Sequence, residues 1–191
     1  MNLRVATSED ALPVARLVYE AIHDIAYQLT GETTEEQAIA ALAELFRRPG
    51  NRFSAKQVLV AEEDGRVAGM ILCYHGSEAD KLDAPLAERL RQRTGNPSPA
   101  IDKETDEDEY YIDSIAVFPE FRGRGIAKAL LEAAEQAAAD SGWERIALNV
   151  EYGNDRAASL YRAAGYAADK TIAINGSPFY HMVKPIVPTR R

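Results

Sequence analysis

Apolar and polar residues along this chain recur with periods that predict strands and helices in alternation. Asn2 to Ala6 reads as a short strand. Leu12, Ala15, Val18, Ile22, Ile25 and Leu29 then recur at helical spacing. Ser8 stands where the helix N-cap belongs, Glu9 and Asp10 fall in the first turn, and Gly31 closes the run. A second helix is predicted from Thr34 through Ile39, Leu42, Leu45 and Phe46, stopped by Pro49-Gly50. Gln57 to Ala61 and Arg66 to Tyr74 alternate as strands around Asp64-Gly65 and predict a hairpin. Tyr110 to Phe118 is a further apolar strand, Ile126 to Ala139 an alanine-rich helix ended by Gly142, and Arg145 to Val150 another strand. Asp155 to Ala164 reads as a helix stopped by Gly165. Tyr166 to Ile174 and Phe179 to Lys184 complete a final hairpin around Asn175-Gly176.

The order β-α-α-β-β-β-α-β-α-β-β mixes hairpins with strand–helix–strand units, so an α/β fold with a mixed sheet covered by helices is expected. Gly76 to Glu109 interrupts the pattern. It holds a short helical stretch, Ala84 to Arg93, then a proline-containing turn region and six carboxylates with one lysine within residues 101–109. Such a charge run is expected to be a solvated loop, inserted into one domain spanning residues 1–191.

Composition narrows the function classes. With 22 basic against 30 acidic residues the net charge is −8, which argues against a nucleic-acid or anionic-membrane surface. No apolar stretch approaches the roughly 18 residues of a membrane span. Met1 to Ala6 has no apolar core of the secretory type, so a cytoplasmic location is expected. The single cysteine, Cys73, excludes an intramolecular disulfide and reads as a core residue. No Cys/His spacing suggests a metal site. His75, at the end of a strand, is a weak candidate for any cleft, and His23 and His181 have no partner visible in the sequence.

Against that acidic background, Arg122-Gly123-Arg124-Gly125-Ile126-Ala127-Lys128 places three cations and no anion at a strand-to-helix turn. Glycines there let a ligand approach the backbone, and the helix start contributes unpaired N–H groups and a positive dipole end. A phosphate-bearing ligand is expected. The turn lacks the third small residue of the dinucleotide fingerprint and the Gly-Lys-Ser/Thr of the P-loop.

The order Arg-x-x-Gly-x-Ala at 122–127, a helix, Leu148-Asn149-Val150, then Asn154-x-x-Ala157-x-x-Leu160-Tyr161-x-x-x-Gly165-Tyr166 resembles the GCN5-related N-acetyltransferase (GNAT) superfamily. The likeness covers the whole element order and is close at residue level over about residues 110–166. It implies acetyl-CoA as donor, lying in a V-shaped split between the strands at 110–118 and 145–150. In that resemblance Ile115, Ala116 and Val117 match a bulged strand whose main chain pairs with the pantetheine arm. Arg122, Gly123, Arg124, Gly125, Ile126, Ala127 and Lys128 match the pyrophosphate loop. Asn154 matches a side chain that bonds the cofactor, and Tyr161 matches the general acid. Transfer to an amine also needs a neutral nucleophile. Some members carry Glu where this chain has Asn149, and an amide cannot take up that proton. Asp113 is the first candidate base, Glu151 the second, with Asn149 and Glu151 on the substrate side. Alternation would place Tyr111, Asp113, Ile115 and Val117 on one face.

The expected function is direct acetyl transfer from acetyl-CoA to a primary amine, on a small molecule or at a protein N-terminus or lysine, without a metal. A non-catalytic acyl-CoA sensor is the rival. The acidic run suggests a cationic acceptor, and family habit a homodimer, for which no residue defines a surface.

Overall fold

The computed structural model describes residues 1–189. Seven strands form one sheet in the order β1-β2-β3-β4-β5-β7-β6, from β1 (Asn2–Val5), β2 (Val58–Glu63), β3 (Arg66–His75), β4 (Tyr110–Val117), β5 (Arg145–Glu151), β6 (Ala167–Ile174) and β7 (Ser177–Pro185). Every neighbouring pair is antiparallel except β4 and β5. Those two run parallel because α5 (Ile126–Asp140) returns the chain between them. The last hairpin does not simply extend the sheet: β7 inserts between β5 and β6.

Helices cover both faces. On one, α1 (Ala11–Ile22), α2 (Ile25–Thr30), α3 (Glu35–Arg47) and α4 (Ala79–Thr94) bury Leu17, Leu42, Phe46 and Leu86 against Met70, Leu72 and Tyr74 of β3. On the other, α5 and α6 (Asp155–Ala163) cover Ile71, Cys73 and Ile146 with Ile126, Leu130 and Leu131. The central strand β3 thus alternates between two cores, as period 2 requires. Cys73 is buried there, as its apolar setting predicted.

Three local differences from the sequence expectation bear on the site. The first apolar run is two helices: Ser8–Asp10 is a short 3₁₀ turn, and the chain breaks at His23, whose φ is 45°. Residues 76–109 include a 16-residue helix, longer than the stretch expected, which carries Pro85 inside it and buries Leu82, Leu86 and Leu90. Third, the bulge that the resemblance implies for β4 falls at Asp113, ahead of Ile115 to Val117, and changes which residues share a face. Leu72 faces Ser114 while Cys73 faces Ile112, so Asp113 is the extra residue. Because cross-strand partners share a face, Tyr111 and Ser114 lie with Tyr74 and Leu72 on the α1–α4 face. Ile115 lies with Ile71 on the α5 face, joined by Val117. The regular alternation expected for Tyr111, Asp113, Ile115 and Val117 is therefore broken by the bulge.

The acidic run is not a solvated loop either. Residues 101–109 cross the α1–α4 face as a strap. Asp102 accepts from the Asn175 backbone and from Gln28, Asp106 pairs with Lys170, and Glu104 and Glu109 are buried. Gly76 permits this approach: a Cβ there would sit 1.8 Å from the Asp106 carbonyl oxygen. Glu107 and Asp108, at 77% and 67% side-chain exposure, are the portion that matches the expectation.

Candidate active site

β4 and β5 pair only from Tyr110 to Ile112 against Ile146 to Leu148, after which the strands part. The bulge turns β4 away at that point, and a cleft of about 780 Å³ opens between the strands. That volume is sufficient for an extended small molecule. Its walls come from Ser114 to Val117 on β4, Asn149 to Glu151 on β5, the turn before α5, the face of α6, and the α1–α2 connection.

At the wide end, Gly123 and Gly125 both take the left-handed conformation, with φ of 77° and 80°, and have open space where a Cβ would stand. The first helical bond of α5 runs from the Ala129 amide to Gly125. Among the described residues the N–H groups from Gly123 to Lys128 have no backbone partner. These donors, the helix dipole and Lys128 form a seat that fits a pyrophosphate. Arg122 borders it, held by a bond from Nε to the Val117 carbonyl at 2.9 Å. Arg124 departs from its expected role. Its guanidinium turns to Glu63, 3.0 Å away, and to the Glu120 carbonyl, so only its backbone can serve the turn.

Asn154 caps α6, its side-chain oxygen accepting from the Ala157 amide at 3.2 Å, which leaves the Nδ2 donors for the cleft it lines. Tyr161, two turns along that helix, lines the same cleft with its ring edge against Tyr166. Burial pushes its hydroxyl up to about 12, so it stays protonated at neutral pH. Glu151 is exposed at the rim.

At the narrow end, Asp113 and Asn149 were expected from the sequence and the residue that organises them, Arg52, was not. Arg52, 1% exposed, lies beneath the point where the strands part. Its guanidinium bonds Asp113 through Nε at 2.9 Å and through Nη2, pairs with Glu104 at 2.9 Å, and reaches Asp83 at 3.4 Å. Tyr74 donates to the same Asp113 oxygen at 3.2 Å. With Oδ2 so occupied, Asp113 serves as the counter-ion of Arg52, a role different from the free base expected of it. Three carboxylates surround one guanidinium, and desolvation holds the Glu104 and Asp83 carboxyls above the usual range despite Arg52. Tyr111 donates to Glu104 at 2.9 Å, and Asn149 donates to Tyr111 and to the Glu104 carbonyl.

Two polar atoms in this region are buried without a partner: Asn149 Oδ1 and Ser114 Oγ. Each such atom costs about 1–3 kcal/mol. Both residues line the cleft.

His75 stands apart from it, packed between Tyr110 and Trp143. His181, for which no partner was visible, is buried between Glu109 at 3.0 Å and Asp169 at 2.6 Å. Burial pulls the imidazole pKa down, but the two carboxylates outweigh it and raise it above the ordinary 6.5. Asp106, Glu109 and His181 approach one another closely enough to hold a metal ion. Lys170 and Arg145 already neutralise that cluster.

A mixed sheet split between two parallel strands, with an anion-binding turn heading the helix that joins them, defines the acyl-CoA N-acyltransferase fold. The chain belongs to the acetyltransferase (GNAT) family, whose model matches residues 19–166. It is similar to a crystal structure of an acetyltransferase, at 35% identity over 97% of this chain and 100% of that one, with a TM-score of 0.80. The uncharacterized N-acetyltransferase YhfO of Bacillus subtilis is 26% identical over 88% of this chain and 91% of its own. YdgE of the same organism, also an uncharacterized N-acetyltransferase, is 39% identical over 31% of this chain, a match spanning 38% of that protein.

Proposed function

We propose that the protein transfers the acetyl group of acetyl-CoA directly to a primary amine, within a ternary complex. The single observation that carries this reading is the continuity of the cleft. One opening runs from the free N–H groups of the turn at Gly123 to Lys128, past a protonated Tyr161, to a pocket of side-chain acceptors. Bound acetyl-CoA would supply an activated thioester. Gly123, Gly125 and the first turn of α5 would hold its phosphates, and the exposed backbone of Ile115 to Val117 would pair with its arm. As the amine nitrogen bonds to the carbonyl carbon and the C–S bond breaks, Tyr161 would deliver a proton to the departing thiolate sulfur, and the proton shed by the nitrogen would leave towards the rim, where Glu151 stands. The acceptor enters from the opposite side, between the α1–α2 connection and β5, where it meets Asp24 and Glu151.

The test is thiol release from acetyl-CoA with a panel of small amines, N-terminal peptides and lysine peptides. Acetyl transfer to at least one amine is expected. Tyr161→Phe should lower turnover about ten-fold to a thousand-fold with CoA affinity nearly unchanged. Binding of CoA with transfer to no amine would support the sensor instead.

A further inference from the structure

Asn149 is the first residue of β5 beyond the last pair with β4, at the apex of the cleft. Its orientation is fixed by its neighbours. Nδ2 gives both hydrogens away, one to the Glu104 carbonyl at 2.8 Å and one to the Tyr111 hydroxyl at 2.9 Å. Reversing the amide would set two oxygens against each other at the Glu104 carbonyl. Tyr111 in turn donates to Glu104, which Arg52 holds. The side-chain oxygen is thereby left buried and unpartnered, in a residue that lines the cleft. Across the opening, the bulge puts Ser114 on the same sheet face as Tyr111, and its hydroxyl is likewise buried without a partner.

We infer that Asn149 Oδ1 and Ser114 Oγ form the seat of the acceptor nitrogen, each accepting one N–H, so that the site selects a primary amine over an alcohol or thiol of the same shape. This rests on the acetyl-transfer reading above and adds which atoms recognise the nucleophile. Two acceptors on opposite walls fit a nitrogen carrying at least two hydrogens. A hydroxyl or thiol has one hydrogen and leaves one wall unsatisfied, and sites of that kind discriminate strongly. Charge is consistent with the same ligand. Asp83, Glu104 and Asp113 face a single guanidinium, so no net positive charge stands behind Asn149 to attract an anionic acceptor. Tyr111 and Glu104 are positioning residues: they touch no reacting atom and act by holding the amide.

Steady-state kinetics on the full chain test this, using the best primary amine of the panel, its alcohol isostere, and calorimetric titration with CoA. Ser114→Ala removes no bond within the protein and should raise the KM for the amine several-fold. Asn149→Ala should raise it about ten-fold or more, and Tyr111→Phe about three-fold by freeing the amide to turn. All three should bind CoA as wild type does. Asn149→Asp should not rescue, since a carboxylate cannot donate to Glu104. The alcohol should be acetylated at least a hundred-fold less efficiently than the amine. An unchanged amine KM in both Ser114→Ala and Asn149→Ala would overturn the inference. So would loss of CoA binding in either, which would assign those atoms to the donor's arm. Equal transfer to the alcohol would overturn it while leaving acetyl transfer intact. Wild-type protein that binds CoA and acetylates no amine would remove both readings together.

Discussion

The two ends of the cleft are built from different materials. At the wide end, the candidate anion seat is mostly main chain, with Lys128 beside it: two left-handed glycines and the first turn of a single helix, within the segment Gly123 to Lys128. The narrow end is built mainly of side chains, and the parts come from far along the sequence. Arg52 meets a partner 61 residues away in Asp113, and Asn149 reaches back 45 residues to Glu104. A backbone seat recognises any phosphate and tolerates changes in the side chains around it. A side-chain seat is specific, and a single substitution leaves buried charges without partners. On the proposed acetyl-transfer reading, the shared donor falls to the first kind and the particular acceptor to the second.

The largest effect should follow from removing the hub of the narrow end. Arg52→Met leaves Asp113, Glu104 and Asp83 buried together without a cation, and should destabilise by about 3–5 kcal/mol in denaturant unfolding. A loss under about 1 kcal/mol would mean that water or protonation relieves the cluster and that the contrast between the ends is overstated. Next is the seat itself. CoA at a hundred times its dissociation constant should stabilise wild type by about 2.7 kcal/mol, visible as a shifted melting curve. Gly125→Glu adds bulk and a negative charge where an L side chain is strained and should abolish that shift. Retention of it would place the phosphates elsewhere.

The strap behind the narrow end should register pH. His181 has its pKa raised above 6.5 in the folded protein by Glu109 and Asp169. A base raised on folding contributes stability that is complete below its unfolded pKa and fades as pH rises through the folded value. The denaturation midpoint of wild type should therefore fall as pH climbs from about 6.5. His181→Gln should show a flatter profile over that window. The smallest effect belongs to the exposed tip: Glu107→Gln with Asp108→Asn should change the KM for a basic acceptor by less than about two-fold, because exposed charges are screened within about 10 Å. A several-fold, salt-dependent rise would show that the tip steers cationic acceptors after all.

The same contrast explains what could be read from the residues alone. The turn and α5 were legible because their signals are local: glycine, cation and an alanine-rich helix lie within one stretch. So was the hairpin of β2 and β3, whereas the split between β4 and β5 came only from the family resemblance. Arg52 was not, because it follows a Pro-Gly turn and resembles any exposed loop cation until α4 and β4 close over it. The acids of the strap looked like solvent-facing charge for the same reason; the cations that bury them, Arg52, His181 and Lys170, are remote in sequence. The helix break at His23 interrupts an apolar spacing that continues past it without glycine or proline. The β4 bulge reversed the predicted facing of Ile115 and Val117, since nothing in Tyr110 to Phe118 marks where the extra residue falls.

The insertion of β7 between β5 and β6 has a consequence in time. β4 grips β5 only at its beginning, whereas β7 pairs with it from Arg145 to Glu151. The wall that carries Asn149 is thus held chiefly by residues 177–185, made more than 30 residues after the turn at Gly123 to Lys128 has been synthesised. On the acetyl-transfer reading, the acceptor wall is complete only once the final hairpin has been made and has paired with β5.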